Sequence, residues 1–213
     1  MKFEKLLSLL GQQGYFDLAS VIQLTGENRQ NIKTQLYRWC KSGRLVPLRR
    51  GMYAFAKPYS GNMLNTAEIA NRLYSPSYLS TYWTLGYYGL IPEKVVTYTS
   101  VTSRVTKEFE NAFGVFKYSH IKNYLFFGYN SVEISKRKVM MASPEKSLLD
   151  LWYLEAGKWD MNRMQEMRFQ NFDIVDSDTL SKYTSRFKLP RLSHVLKVWR
   201  KLVESESEGM VKI

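Results

Sequence analysis

The sequence predicts an α+β fold: a small helical module closed by a hairpin, then a larger mixed α/β domain with a small sheet and a helical C-terminal part. Three observations predict it. Apolar residues recur at helical spacing between positions 3 and 41, β-branched and aromatic runs alternate with turn residues between 95 and 141, and amphipathic helical patterns return after 143. A chain of 213 residues that is 45% hydrophobic can fill a small core plus a medium one.

Phe3, Leu6, Leu7 and Leu10 lie on one face of a first helix, and Gly11 and Gly14 offer a place to stop. Tyr15 and Phe16 lead into a second helix over Asp17–Leu24, capped by Asp17 and buried through Leu18, Val21 and Ile22, until Thr25-Gly26 breaks it. A third helix starts near Glu27 and keeps Ile32, Leu36 and Trp39 together. At roughly 100° per residue its other face carries Gln30, Lys33, Thr34, Tyr37, Arg38 and Lys41, with Arg29 and Asn31 near the leading end. None of these is acidic.

Arg, Lys, Asn and Gln side chains reach base edges, while Thr, Tyr and further cations hold phosphates. A basic helix alone is more often an ordinary solvated face, but here a short helix, a Thr-Gly turn and a cationic helix follow helix-turn-helix order. Leu45–Leu48 and Met52–Phe55 then read as two strands around Arg49-Arg50-Gly51, where Gly51 supplies a positive φ. Two arginines at a hairpin tip repel each other, a cost that a polyanion relieves, with solvated surface arginines as the plainer alternative. Residues 1–57 are therefore expected to form a winged helix-turn-helix for double-stranded DNA, using Arg29, Gln30, Asn31, Lys33, Thr34, Tyr37, Arg38, Lys41, Arg49, Arg50 and Gly51.

Charge points the same way. The chain has 31 basic and 19 acidic residues, a net +12, and the first sixty residues hold 10 Lys/Arg against 3 Asp/Glu. Such an excess favours a polyanion through attraction and counterion release. Cys40 is the only cysteine, which excludes an intrachain disulfide and a multi-thiolate metal site and suits a reducing cytoplasm. The opening residues do not read as a secretory leader, and no apolar run approaches the ~20 residues of a membrane span.

Lys57-Pro58-Tyr59-Ser60-Gly61-Asn62 marks the expected join, with a second domain over 62–203 and a flexible acidic tail over 204–213. In that domain Leu64–Leu73 suggests a helix, and Ser75-Pro76 suggests the start of another running to about Leu90. Strands are expected at Val95–Thr99, Val115–Tyr118, Tyr124–Phe127 and Val132, and at Val139–Met141 after the basic stretch Ser135–Lys138. Ser143-Pro144-Glu145-Lys146 opens an apolar helix through Leu148, Leu149, Leu151 and Trp152, and Leu192–Val203 is strongly amphipathic.

Catalytic chemistry finds little support. His120 and His194 have no ligand-like neighbours, and there is no glycine-rich phosphate loop, nucleophile elbow or His-Glu-x-x-His. No cofactor, metal or catalytic residue is expected. Glu145, Lys146 and Asp150 form the best enzyme-like cluster, yet Glu145 suits a helix start and Lys146 can pair with Asp150 four residues on.

The hairpin Leu45–Tyr53, the run Ser75–Ser80 leading to Leu85-Gly86-Tyr87-Tyr88-Gly89-Leu90, and Ala142-Ser143-Pro144-Glu145-Lys146-Ser147-Leu148-Leu149-Asp150-Leu151 occur in an order that resembles the AbiEi antitoxin family. These are regulators of bacterial abortive-infection and type IV toxin-antitoxin systems, and the resemblance covers roughly residues 1–155. It implies a winged-helix repressor that controls its own operon through inverted repeats, and a repressor reading two half-sites commonly binds as a homodimer or cooperatively. It also implies a second domain that counters a nucleotidyltransferase toxin of the AbiEii type without a stable complex. Arg104, Lys117, Lys136, Arg137, Lys138 and Lys146 are the candidate antitoxin or ligand surface, and Arg104, Lys117, Lys122 and Lys136–Lys138 also suit RNA, a nucleotide or the toxin's substrate. Two alternatives stand beside this reading: a stand-alone winged-helix transcription factor without a toxin, and an enzyme of unknown chemistry recruited to DNA.

Overall fold

The computed structural model describes residues 1–60 and 64–210. Helix α1 (Phe3–Leu10) buries Phe3, Leu6 and Leu10, and a 3-10 turn at Gly11–Gln13 ends on Gly14 with φ 77°. Tyr15–Asp17 then forms strand β1, a strand the sequence did not signal, and it runs directly into the helix that follows. The cause is tertiary, because β1 pairs antiparallel with β3 (Met52–Phe55), Tyr15 opposite Ala54 and Asp17 opposite Met52. Helix α2 (Leu18–Thr25) starts under Asp17, whose carboxylate accepts from the Ser20 N–H at 2.7 Å, and it stops at Gly26. Helix α3 (Arg29–Lys41) follows after a short turn, so α2 and α3 stand in helix-turn-helix order. Strand β2 (Leu45–Arg49) completes a sheet of order β1-β3-β2. Leu6, Val21, Ile32, Leu36 and Phe55 are fully buried between helices and sheet, where the Phe3 ring meets Trp39, Phe55 and Tyr59 edge-on.

The larger part is built on a six-stranded mixed sheet of order β6-β7-β5-β4-β9-β8. Its strands are β4 (Ser77–Leu79), β5 (Tyr98–Thr102), β6 (Lys107–Asn111), β7 (Gly114–His120), β8 (Tyr129–Ile134) and β9 (Arg137–Ala142). The pairs β4·β9 and β5·β7 are parallel and the remaining three are antiparallel. One core, with Tyr78, Val101 and Ala142, lies under helices α5 (Tyr82–Tyr87), α6 (Pro144–Leu154), α7 (Met161–Glu166), α8 (Ser177–Phe187) and α9 (Pro190–Met210). The opposite face, with Leu79, Phe116, Tyr118, Val139 and Met141, is covered by helix α4 (Thr66–Leu73) and by the underside of the N-terminal hairpin, through Leu48, Met52 and Ala54. Asn111 Nδ2 reinforces that contact by donating to the Leu48 carbonyl at 3.0 Å. The segments 1–57 and 62–203 therefore share a hydrophobic core, and residues 61–63 of the expected join lie outside the described residues.

Several expected elements take another form. Ser75-Pro76 precedes strand β4, not a long helix, because Tyr78 and Leu79 point to opposite faces and pair between β5 and β9; helix α5 is then only Tyr82–Tyr87. Tyr124–Phe127 is not a strand: Asn123–Leu125 is a 3-10 turn that inserts Leu125 completely into the core. The strand expected from Val95 begins at Tyr98. The acidic segment expected as a flexible tail continues α9 to Met210, where Ser205 Oγ donates to the Leu202 carbonyl, and residues 211–213 of it lie outside the described residues. Glutamate is a good helix former, and α9 is anchored by buried Leu192, Val195, Trp199 and Leu202. Among the described residues no helix is long and apolar enough to cross a membrane.

Candidate nucleic-acid interface

Asn28 Oδ1 accepts from the Gln30 N–H at 2.8 Å and caps α3, while Ile32 and Leu36 fix its inner face by complete burial. Arg29, Gln30, Asn31, Lys33, Thr34, Tyr37, Arg38 and Lys41 are consequently all exposed. Tyr37 is 62% exposed, unusual for so large a ring, and Lys41 Nζ stands 5.8 Å from its centroid. Thr34 Oγ1 donates to the Gln30 carbonyl at 3.1 Å, which leaves its oxygen lone pairs facing outward.

The hairpin tip is held in place beside α3. Gly51 adopts φ 76°, and its carbonyl accepts from the Leu18 N–H at 2.8 Å, which ties the turn to the start of α2. A register shift between Pro47 and Arg49 twists the strand just before the turn. Arg49 and Arg50 are both exposed, and Arg49 Nη1 donates to the Arg50 carbonyl at 3.3 Å. Arg29 and Lys33 of α3 and Arg49 and Arg50 of the hairpin line one open groove of about 720 Å³. The acidic residue at that groove is Asp17, whose carboxylate is engaged by the α2 cap. Four cations facing one committed carboxylate make the groove a strong attractor for anions.

The cations singled out in the second part do not form one surface. Arg104 stacks over Tyr74 at 4.3 Å and donates to the Ser75 carbonyl. Lys117, on β7, sits 3.7 Å from Glu108 of β6. Lys136 and Lys138 are exposed at the β8–β9 turn, on the far side of β5 and β4 from Lys117, and Arg137 Nε lies 3.6 Å from Glu68. Lys146 is a correction, because it is fully buried and no part of any surface. Its ammonium pairs with Asp150, donates to Tyr78 Oη at 2.8 Å, and is walled by the rings of Tyr78, Phe127 and Phe187 at 5.2–5.4 Å. Asp150 also accepts from Tyr78 Oη and Ser80 Oγ at 3.0 and 2.8 Å. Desolvation holds Lys146 below and Asp150 above their ordinary pKa values, opposed by their mutual attraction.

Sequence reasoning missed a second polar cluster, at the seam between the hairpin and the large sheet. Tyr15 Oη donates to Glu68 Oε1 at 2.9 Å, and Arg49, Arg72 and Arg137 surround the pair. Burial, with the Glu68 hydrogen bond second, pushes the Tyr15 phenol up to about 12. Nothing local in the sequence signals this meeting, since its members come from β1, β2, α4 and β9.

Residues 4–56 match the family model of the AbiEi antitoxin transcriptional regulators. The matched segment contains α1 through β3, and so both halves of the cationic groove. No curated protein matches the chain.

Proposed function

We propose that this chain, with a first module of the AbiEi antitoxin regulator type, is a DNA-binding transcriptional repressor built on a winged helix-turn-helix. Helix α3 enters the major groove, where Gln30 and Asn31 read base edges and Arg29, Lys33, Arg38 and Lys41 meet phosphates. The hairpin tip is the wing, and Arg49 and Arg50 grip the adjoining backbone or minor groove. The observation that carries this reading is the convergence of α3 cations and hairpin arginines on one open groove. Tyr37, exposed without a covering element, fits a phosphate or sugar contact.

The same reading extends to autoregulation of the chain's own operon through inverted repeats, bound by a homodimer or cooperatively, in the cytoplasm. The larger part then counters a nucleotidyltransferase toxin of the AbiEii type without a stable complex. The resemblance through Ser75–Leu90 and Ala142–Leu151 supports that half. The burial of Lys146 and Asp150 argues against their use as catalytic groups, which favours a regulator over a recruited enzyme.

A footprint of the full chain on DNA upstream of its own gene tests the reading. Two protected half-sites, centred about one helical turn or a multiple of it apart, are expected. No protection at low salt would overturn it. Co-expression with a neighbouring nucleotidyltransferase tests the second half: growth is restored if the antitoxin reading holds, and failure leaves a stand-alone regulator.

A further inference from the structure

The seam between the first module and the large sheet forms a second polar chamber of about 550 Å³, half open to solvent. Three guanidinium groups from three elements face it: Arg49 from the hairpin, Arg72 from α4 and Arg137 from β9. Two carboxylates accompany them, and both are engaged. Asp17 accepts from the Ser20 N–H, and the nearly buried Glu68 accepts from Tyr15 Oη and lies 3.6 Å from Arg137 Nε. One positive charge is in excess, presented by planar forks whose geometry matches phosphate oxygens. The chamber's volume falls in the range of small-molecule sites.

Arg49 lines this chamber and also the groove beside α3. An anion seated at the seam and a DNA phosphate in the groove would compete for the same side chain. We propose that the seam binds a phosphate-bearing small molecule through Arg49, Arg72 and Arg137, and that its occupancy draws Arg49 away from DNA. The coupling rests on the DNA-binding reading above, whereas the anion site does not. By linkage, DNA weakens the binding of the small molecule as much as the small molecule weakens the binding of DNA.

Pyrophosphate is the probe. Calorimetry on the DNA-free full chain, against chloride of matched ionic strength, is expected to show one site that Arg72→Gln weakens by about tenfold or more. Arg72 is exposed, so the variant should fold, and circular dichroism checks this. Saturating pyrophosphate is expected to weaken DNA binding by the wild type about fivefold or more, but not that by Arg72→Gln, whose affinity for DNA alone stays at the wild-type level. Absence of binding heat, or equal binding by the variant, overturns the site. A variant that itself loses DNA affinity, with a salt slope lower by about one, overturns the proposal in favour of a DNA backbone phosphate in the chamber. Arg72-dependent pyrophosphate binding by a protein that ignores DNA sustains the anion site and sinks the DNA reading.

Discussion

At the scale of single residues, the molecule separates two kinds of charge. The α3 cations stand in solvent, while Lys146 and Asp150 are enclosed with each other, Tyr78 and Ser80. Removing one partner of such a pair strands the other, so Asp150→Ala should lower unfolding free energy by about 3–5 kcal/mol, read from urea titrations. Lys146→Met should cost less, because a protonated Asp150 keeps the Tyr78 and Ser80 hydroxyls as partners. Wild-type stability in both would refute the enclosed pair. Gln30→Ala and Asn31→Ala should change which DNA sites are preferred while leaving the salt slope unchanged, as binding assays on site variants would show. The exposed face of α3 was legible in the sequence because helical phase is local. The burial of Lys146 was not, because the rings around it come from positions 78, 127 and 187, and a lysine read alone is assigned to the surface.

At the scale of elements, local signals succeeded where the chain governs itself. Asp17 and Ser143 cap the helices that the sequence assigned to them, and Gly51 turns the hairpin with a positive φ. Gly51→Val should cost about 1–3 kcal/mol by forcing a β-branched residue into that conformation, and should weaken DNA binding by loosening the arginine-bearing tip. A variant with native stability and affinity would show that the turn can be remade without that conformation. Local signals failed where tertiary pairing decides. Tyr15–Asp17 became a strand because β3 offers a partner, and Ser75-Pro76 did not open a helix because β4 fills the space between β5 and β9. Leu125 left its apolar run to plug the core from a 3-10 turn.

At the scale of the whole molecule, the hairpin is a shared part. Its outer surface carries Arg49 and Arg50, and its underside buries Leu48, Met52 and Ala54 against Phe116, Tyr118 and Met141. The join at residues 57–62 is read from low apolar content and two turn-forming residues, and neither reports that two segments share apolar surface. A fragment of residues 1–57 should therefore be markedly less stable than the full chain and prone to associate, as sedimentation and thermal unfolding would reveal; a monomeric fragment of undiminished stability would contradict the shared core. Alkaline pH should act on the whole fold. Burial raises the phenols of Tyr15 and Tyr88 to about 12 and those of Tyr78, Tyr82 and Tyr118 further. The unfolded chain releases these protons near pH 10, so the stability they confer is complete below that pH and is lost as pH rises through the folded values. Urea midpoints should fall above pH 10; midpoints flat to pH 12 would contradict the burial of these hydroxyls. In the proposed function α3 and the hairpin tip hold one DNA duplex together. The most direct measurement is the salt dependence of binding to the upstream DNA for the wild type and for Arg49→Ala with Arg50→Ala. Weaker binding by the double variant and a log–log slope shallower by up to about two are expected, whereas superimposable lines would rule out a grip through the hairpin tip.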